Sequence, residues 1–140
     1  MALNQSNYNP AAKFGAGQTI KDLTAAYTLL SEDSGTMFRL NLAAGFAVTL
    51  PLPSLGLCYE FFVGTAPTSN YTIVTSASAA ILNGKAVNSA AGAGSTSTTG
   101  TTITFVANQA SVGDYVKVFT DGTYWYAIAT SKTAAGVTFA

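Results

Sequence analysis

The most constraining stretch of this chain runs Gly113-Asp114-Tyr115-Val116-Lys117-Val118-Phe119-Thr120, then Asp121-Gly122, then Thr123-Tyr124-Trp125-Tyr126-Ala127-Ile128-Ala129. Both runs are rich in β-branched and aromatic residues, and the Asp-Gly between them offers the positive φ angles that a two-residue primed turn requires. The pattern predicts a β-hairpin, and with it an antiparallel β protein.

The rest of the chain carries the same texture. Residues 37–42 alternate Met37, Arg39 and Asn41 with Phe38, Leu40 and Leu42, the period of two of a strand with one face in a core. Further strands are expected over residues 26–30, 47–50, 59–63, 71–75 and 101–106, with a short one over 80–82 that ends at an Asn83-Gly84 turn, from which residues 85–88 pair back. Asp22-Leu23-Thr24 reads as the cap of a turn, and Ser31-Glu32-Asp33-Ser34-Gly35 as a strong turn cluster. Pro51 and Pro53 remove two backbone donors and make residues 51–56 a connector. Residues 89–100 are only Ser, Ala, Gly and Thr, with no large side chain to anchor them, which predicts an exposed loop. The Ala-rich stretches are too short and too interrupted for more than one helical turn.

About nine short strands with turn signals every 8 to 12 residues fit an all-β antiparallel β-sandwich, a jelly roll or a small barrel. Residues 1–19 have neither strand nor helix period, carry Leu3, Tyr8 and Phe14 well apart, and read as an extended N-terminal arm. The expected division is this arm, a β domain over 20–130, and a C-terminal tail over 131–140 that adds a subunit contact or frays.

Composition narrows the function. At 140 residues and 49% hydrophobic, the chain suits one domain with a real core. Six basic residues balance six acidic ones, so there is no polycationic track for a phosphate backbone, and nucleic acid is not an expected partner. The 9% charge content is far below the roughly 25% of ordinary soluble domains, a surface suited to permanent assembly. Cys58 is a lone cysteine beside Tyr59 and Phe61 and reads as a small buried hydrophobe. The N-terminus has neither the basic start nor the apolar run of a secretory signal, and no segment has the length of a membrane span, so a soluble protein made in a cytoplasm is expected.

Catalytic chemistry finds little footing. Histidine is absent, which removes the commonest general base and metal ligand. Two carboxylates alone can hydrolyse a glycoside, and Asp33, Glu60, Asp114 and Asp121 are the candidates, yet Asp33 and Asp121 sit where turns form and Asp114 opens a strand. Glu60, among Tyr59, Phe61 and Phe62, belongs on an exposed strand face, in a buried pair with Arg39 or a lysine, or in an interface ion pair. Gly92-Ala93-Gly94 lacks the Gly-Lys-Ser/Thr ending of a phosphate loop. In Tyr124-Trp125-Tyr126, alternation puts the tyrosines on one face and Trp125 on the other, for core or interface packing or for stacking on a sugar. No catalytic residue, metal ligand or cofactor is expected.

The string Leu23-Thr24-Ala25 through Leu29, Ser34-Gly35-Thr36-Met37-Phe38-Arg39-Leu40-Asn41, Val48-Thr49-Leu50-Pro51-Leu52-Pro53, Gly56 followed by Tyr59 to Val63, Tyr71-Thr72-Ile73-Val74 and the closing Gly113-Asp114-Tyr115-Val116 with Asp121-Gly122-Thr123-Tyr124-Trp125-Tyr126 resembles small structural proteins of tailed bacteriophages. The resemblance spans roughly residues 23–130 and implies a virion protein without catalysis. A head decoration (cement) protein is the first expectation: a homotrimer on the capsid exterior whose arm places Leu3, Tyr8 and Phe14 on neighbouring subunits of the major capsid protein. The alternative is a short tail fibre or receptor-binding tip in which Tyr124, Trp125 and Tyr126 contact a host glycan. A small carbohydrate-active enzyme is the least favoured.

Overall fold

Alternation of apolar and polar side chains gives each strand one face to bury, and the chain satisfies them by stacking two sheets face to face. The computed structural model describes residues 17–88 and 95–140. Leu3, Tyr8 and Phe14 lie outside the described residues. Among the described residues the strands are β1 (Ile20–Leu23), β2 (Tyr27–Thr28), β3 (Met37–Leu40), β4 (Ala47–Thr49), β5 (Cys58–Val63), β6 (Tyr71–Val74), β7 (Leu82–Asn88), β8 (Thr96–Gly100), β9 (Thr102–Phe105), β10 (Tyr115–Thr120), β11 (Trp125–Ser131) and β12 (Val137–Phe139). One sheet has seven strands in the order β1-β3-β5-β10-β11-β7-β8, the other five in the order β12-β9-β6-β4-β2. The fold is an all-β sandwich, and neither sheet closes into a barrel.

The sheets are mixed rather than antiparallel throughout. β1, β3 and β5 run parallel in one sheet, as do β2, β4 and β6 in the other. Parallel neighbours cannot be joined by a tight hairpin and need a crossover. Here the crossover is a strand of the opposite sheet: successive strands from β1 to β6 alternate between the two layers. The turn cluster at residues 31–35 is therefore an arch between sheets, with a single three-ten turn at Ser31–Asp33. From β9 onward most pairings are antiparallel, including β5–β10, β10–β11 and β9–β12, while β11 lies parallel to β7.

Period two sets the core. Tyr59, Phe61 and Val63 of β5, Val116 and Val118 of β10, and Trp125, Ala127 and Ala129 of β11 are buried, facing Val48, Tyr71, Ile73, Ile103, Phe105 and Val137 of the other sheet. Tyr27 of β2 meets Phe38 of β3 across the sandwich at 6.1 Å between ring centroids. Trp125 lies 5.9 Å from the Tyr59 ring, and its Nε1–H meets no acceptor among the described residues. Each such buried ring contributes about 1.5–3 kcal/mol by leaving water. Backbone carbonyls tie the Tyr hydroxyls down: Tyr59 donates to Leu30 O at 2.9 Å and Tyr71 to Thr65 O at 2.9 Å. Burial pushes the Tyr59 hydroxyl up to about 12.

Five local expectations are corrected. Asp22 and Leu23 belong to β1, not to a cap. Asn83-Gly84 is not a turn but the interior of β7, with a bulge between Leu82 and Gly84. Glycine is needed there for space, because a Cβ at Gly84 would overlap the Phe139 ring of β12. Of the expected loop over 89–100, Thr96–Gly100 forms β8, paired antiparallel with β7 at the sheet edge, where threonine's β-branch suits a strand once a partner is present. The hairpin exists, but Thr120 pairs with Trp125, so four residues cross the end, and Asp121 has no positive φ. Its carboxylate accepts from Thr123 N and Tyr124 N, both at 2.8 Å, and makes an Asx turn. The expected tail is β12, with Val137 and Phe139 buried and Ala140 N bonded to Thr102 O at 2.9 Å.

Gly84→Ala is expected to cost about 1–3 kcal/mol by overpacking, and Phe139→Ala about 3–5 kcal/mol. In the double variant the two penalties should fall short of additivity, because the alanine methyl enters the space the ring vacates. Urea denaturation of the four proteins measures this, and full additivity would contradict the contact.

Candidate functional site

Because β10 and β11 bury their alternate residues, the others must face out. Pairing aligns them in rows across the seven-stranded sheet. One row is Cys58, Phe119, Tyr126 and Asn83; the next is Ile20, Met37, Glu60, Lys117, Ile128 and Lys85; the third is Asp22, Arg39, Phe62, Tyr115, Thr130 and Val87. Large apolar groups are unusually frequent on this face, with Phe119, Ile128 and Val87 all exposed.

An open groove of about 330 Å³ runs along this face, walled by Phe119, Tyr126, Ile128, Asn83 and Lys85 over the Gly84 and Ala127 positions. The Phe119 and Tyr126 rings stack at 5.6 Å with 23° between their planes. Tyr126 donates to Asp121 Oδ2 at 2.9 Å, so the ring is held by packing on one side and by a carboxylate at its tip. The backbone N–H groups of Tyr124 and Thr123, with the Tyr126 hydroxyl, hold the Asp121 carboxyl below its usual range, and that same bond raises the Tyr126 hydroxyl.

Glu60 forms a second cluster on the face. Its carboxylate accepts from the Tyr115 hydroxyl and from the Gln18 side-chain amide, while Gln18 also donates to Gly35 O at 3.1 Å. Partial burial by itself would raise this carboxyl, but the bonds from Tyr115 and Gln18 and the charge of Lys117 outweigh it and leave it lowered. Burial and the Glu60 bond raise the Tyr115 hydroxyl. Arg39 is not the partner of Glu60; it makes a two-bond fork to Asp22, at 2.6 Å for each contact.

The other carboxylates are structural. Asp33 accepts from Leu30 N at 3.0 Å and from the Tyr27 hydroxyl, which also accepts from Lys21 Nζ at 2.6 Å. Asp114 is buried and bridges two loops, accepting from Ser111 N and Lys132 N, both at 2.9 Å. The four acidic candidates are thus bonded to four different parts of the chain, and among the described residues no group of three or more Cys, Asp and Glu gathers as a metal site.

Trp125 is fully buried and is withdrawn from any surface site, whereas Tyr124 is exposed and Tyr126 half-buried. Cys58 is half-buried on the outward row beside Phe119 rather than in the core. Phe119, Ile128, Asn83 and Lys85 enter the site only through strand register, which no local motif announces. The connector contributes a separate feature: Leu52 is 72% and Leu55 80% exposed, flanked by Pro51 and Pro53, and Leu55 lies against Gly122 of the hairpin loop. The Pro-Leu-Pro string was the available signal for it. No protein-family model matches this chain, and no curated protein matches it.

The lowered Glu60 carboxyl stabilises the fold at neutral pH, and that contribution is lost as pH falls through its folded value, below the usual 4.5. Tyr115→Phe should raise the Glu60 titration midpoint and shrink the acid-dependent part of the stability. Carboxyl-detected NMR titration together with denaturation against pH checks this; an unmoved midpoint would show that the hydroxyl does not set it.

Proposed function

We propose that this chain is a non-enzymatic virion structural protein that decorates the outside of a phage capsid, as a homotrimer, and clamps neighbouring subunits of the major capsid protein. The observation that carries the reading is the pair of leucines held out on the proline-braced connector, Leu52 at 72% and Leu55 at 80% exposure. Two large apolar side chains presented this way are a poor solution for a free surface and a good one for a partner. Prolines restrict the connector before binding, which lowers the ordering cost of docking. Gly56 N and Thr120 N anchor its far end by bonds to Thr120 O and Leu57 O, at 3.3 and 3.1 Å.

The residues ahead of Gln18 would supply the second grip, with Leu3, Tyr8 and Phe14 as anchors. The Gln18 bonds to Glu60 and Gly35, and the Met37 N bond to Thr19 O at 3.0 Å, fasten the start of the sandwich, so a cut after residue 16 leaves those contacts in place. Several modest contacts per subunit, joined through an oligomer on a repeating lattice, add by avidity and require no reaction.

Quantitative mass spectrometry of purified virions should find copies comparable in number to the capsid subunits; a handful per particle would move the chain to the tail. The Leu52→Ser/Leu55→Ser variant should keep the wild-type melting curve and lose capsid affinity by at least about tenfold. Removing residues 1–16 should abolish capsid binding without unfolding the sandwich, and retained binding would exclude the arm as a clamp.

A further inference from the structure

We propose that the groove on the outer face of the seven-stranded sheet binds a carboxylated sugar, its ring lying on Tyr126 and its carboxylate meeting Lys85. This site is separate from the Leu52 and Leu55 contact and is tested on the isolated chain, so it stands or falls independently of the capsid reading.

The platform comes first. Tyr126 offers an aromatic face in an open groove of about 330 Å³, a size suited to one or two sugar rings. The ring is pre-ordered by the stack on Phe119 and by the hydroxyl bond of 2.9 Å to Asp121, so little freedom is lost when a ligand settles on it. The C–H face of a pyranose is apolar while its edge carries hydroxyls, which matches a ring with polar groups around it. Asn83, paired with Tyr126 across β7 and β11, has its Oδ1 turned to Thr99 N at 3.4 Å, and among the described residues nothing takes its NH2 donors, which can meet a hydroxyl.

Charge then selects the class of sugar. One row along the strands, about 6.8 Å away, Ile128 is flanked by Lys85 on β7 and Lys117 on β10. Neither lysine forms an ion pair among the described residues. Asp121, at the hydroxyl tip of Tyr126, keeps its negative charge, and its oxygens already accept from Thr123 N, Tyr124 N and the Tyr126 hydroxyl. Lys117 faces Glu60 in its row, and that carboxylate matches its charge, so Lys85, which lines the groove without an ion pair among the described residues, is the ammonium open to a ligand. A ligand that lies on Tyr126 and extends one row toward Ile128 brings an attached carboxylate to that ammonium for a charge-assisted hydrogen bond. A nucleic-acid strand would also stack, but it needs a longer basic track than two lysines in a chain of zero net charge.

The experiment titrates the full chain with an oligomer of galacturonic acid, with the matching neutral galactose oligomer and with a short oligothymidylate, following backbone amide shifts by NMR. The acidic oligomer should saturate, move the Ala127 and Ile128 amides, and bind at least about fivefold more tightly than the neutral one at low salt. Lys85→Gln should bring the two oligomers to equal affinity, and Tyr126→Ala should lower binding of both about tenfold. Tyr126→Phe keeps the platform without the hydroxyl and should bind nearly as well, which separates loss of the ring from loss of the fold. Equal binding of the acidic and neutral oligomers by the wild type, tighter binding of oligothymidylate with the same residue dependence, or no saturable shift in the groove would each overturn the assignment.

Discussion

Trp125 facing inward is the constraint on which the rest of the molecule depends. Strand side chains alternate strictly, so placing this indole against Tyr59 in the core fixes the phase of β11 and, through the pairing of Thr120 with Trp125, that of β10 as well. Phe119, Tyr126, Lys117, Ile128 and Lys85 are then compelled to the outer face. A slip of one residue would expose the indole and bury Tyr126 beside charged neighbours, a state that loses its largest ring and gains buried polar groups. The outer face is thus the complement of the core, and its composition is what the core left over.

The winding of the first six strands has a second consequence. Because consecutive strands cross between layers, each sheet gains parallel neighbours, and among the described residues no helix covers its outside. The seven-stranded sheet therefore keeps an open face, and its hydroxyls and carboxylates are managed locally: Glu60 by Tyr115 and Gln18, Asp22 by Arg39, Asp121 by its own turn. Asp114 performs the same service at the end of the sandwich, where its two oxygens join the loop before β10 to the segment after β11. Polar side chains here mostly fasten connections, while rings and leucines lie where a partner can reach them.

Much of this was legible residue by residue. Period two and β-branched content located β3, β4, β5, β6, β9, β10 and β11 to within one or two residues, because half-buried strands write their burial directly into the chain. The opposed faces of Trp125 and the flanking tyrosines were legible for the same reason. Misreadings arose where local chemistry has two uses. Asn83-Gly84 has turn composition, yet glycine serves there to admit the Phe139 ring, a residue more than fifty positions away. Thr96–Gly100 has loop composition and becomes a strand because β7 offers it an edge. Val137 and Phe139 read locally as a tail that adds a subunit contact or frays, because their partners, Phe105 and Ile103, are recognisable only once β9 is in place.

What the sequence by itself determined was the all-β class, the inward and outward phase of the main strands, and the scarcity of charge. These are properties of single residues and near neighbours, expressed in the backbone's own repeat. What only the tertiary structure decided was the pairing: which strands run parallel, which glycine must stay small, and which outward side chains share a row. Tyr126, Asn83 and Lys85 form one wall only because β11 lies parallel to β7 in a particular register, and register is settled by the packing of two whole sheets rather than by any local motif.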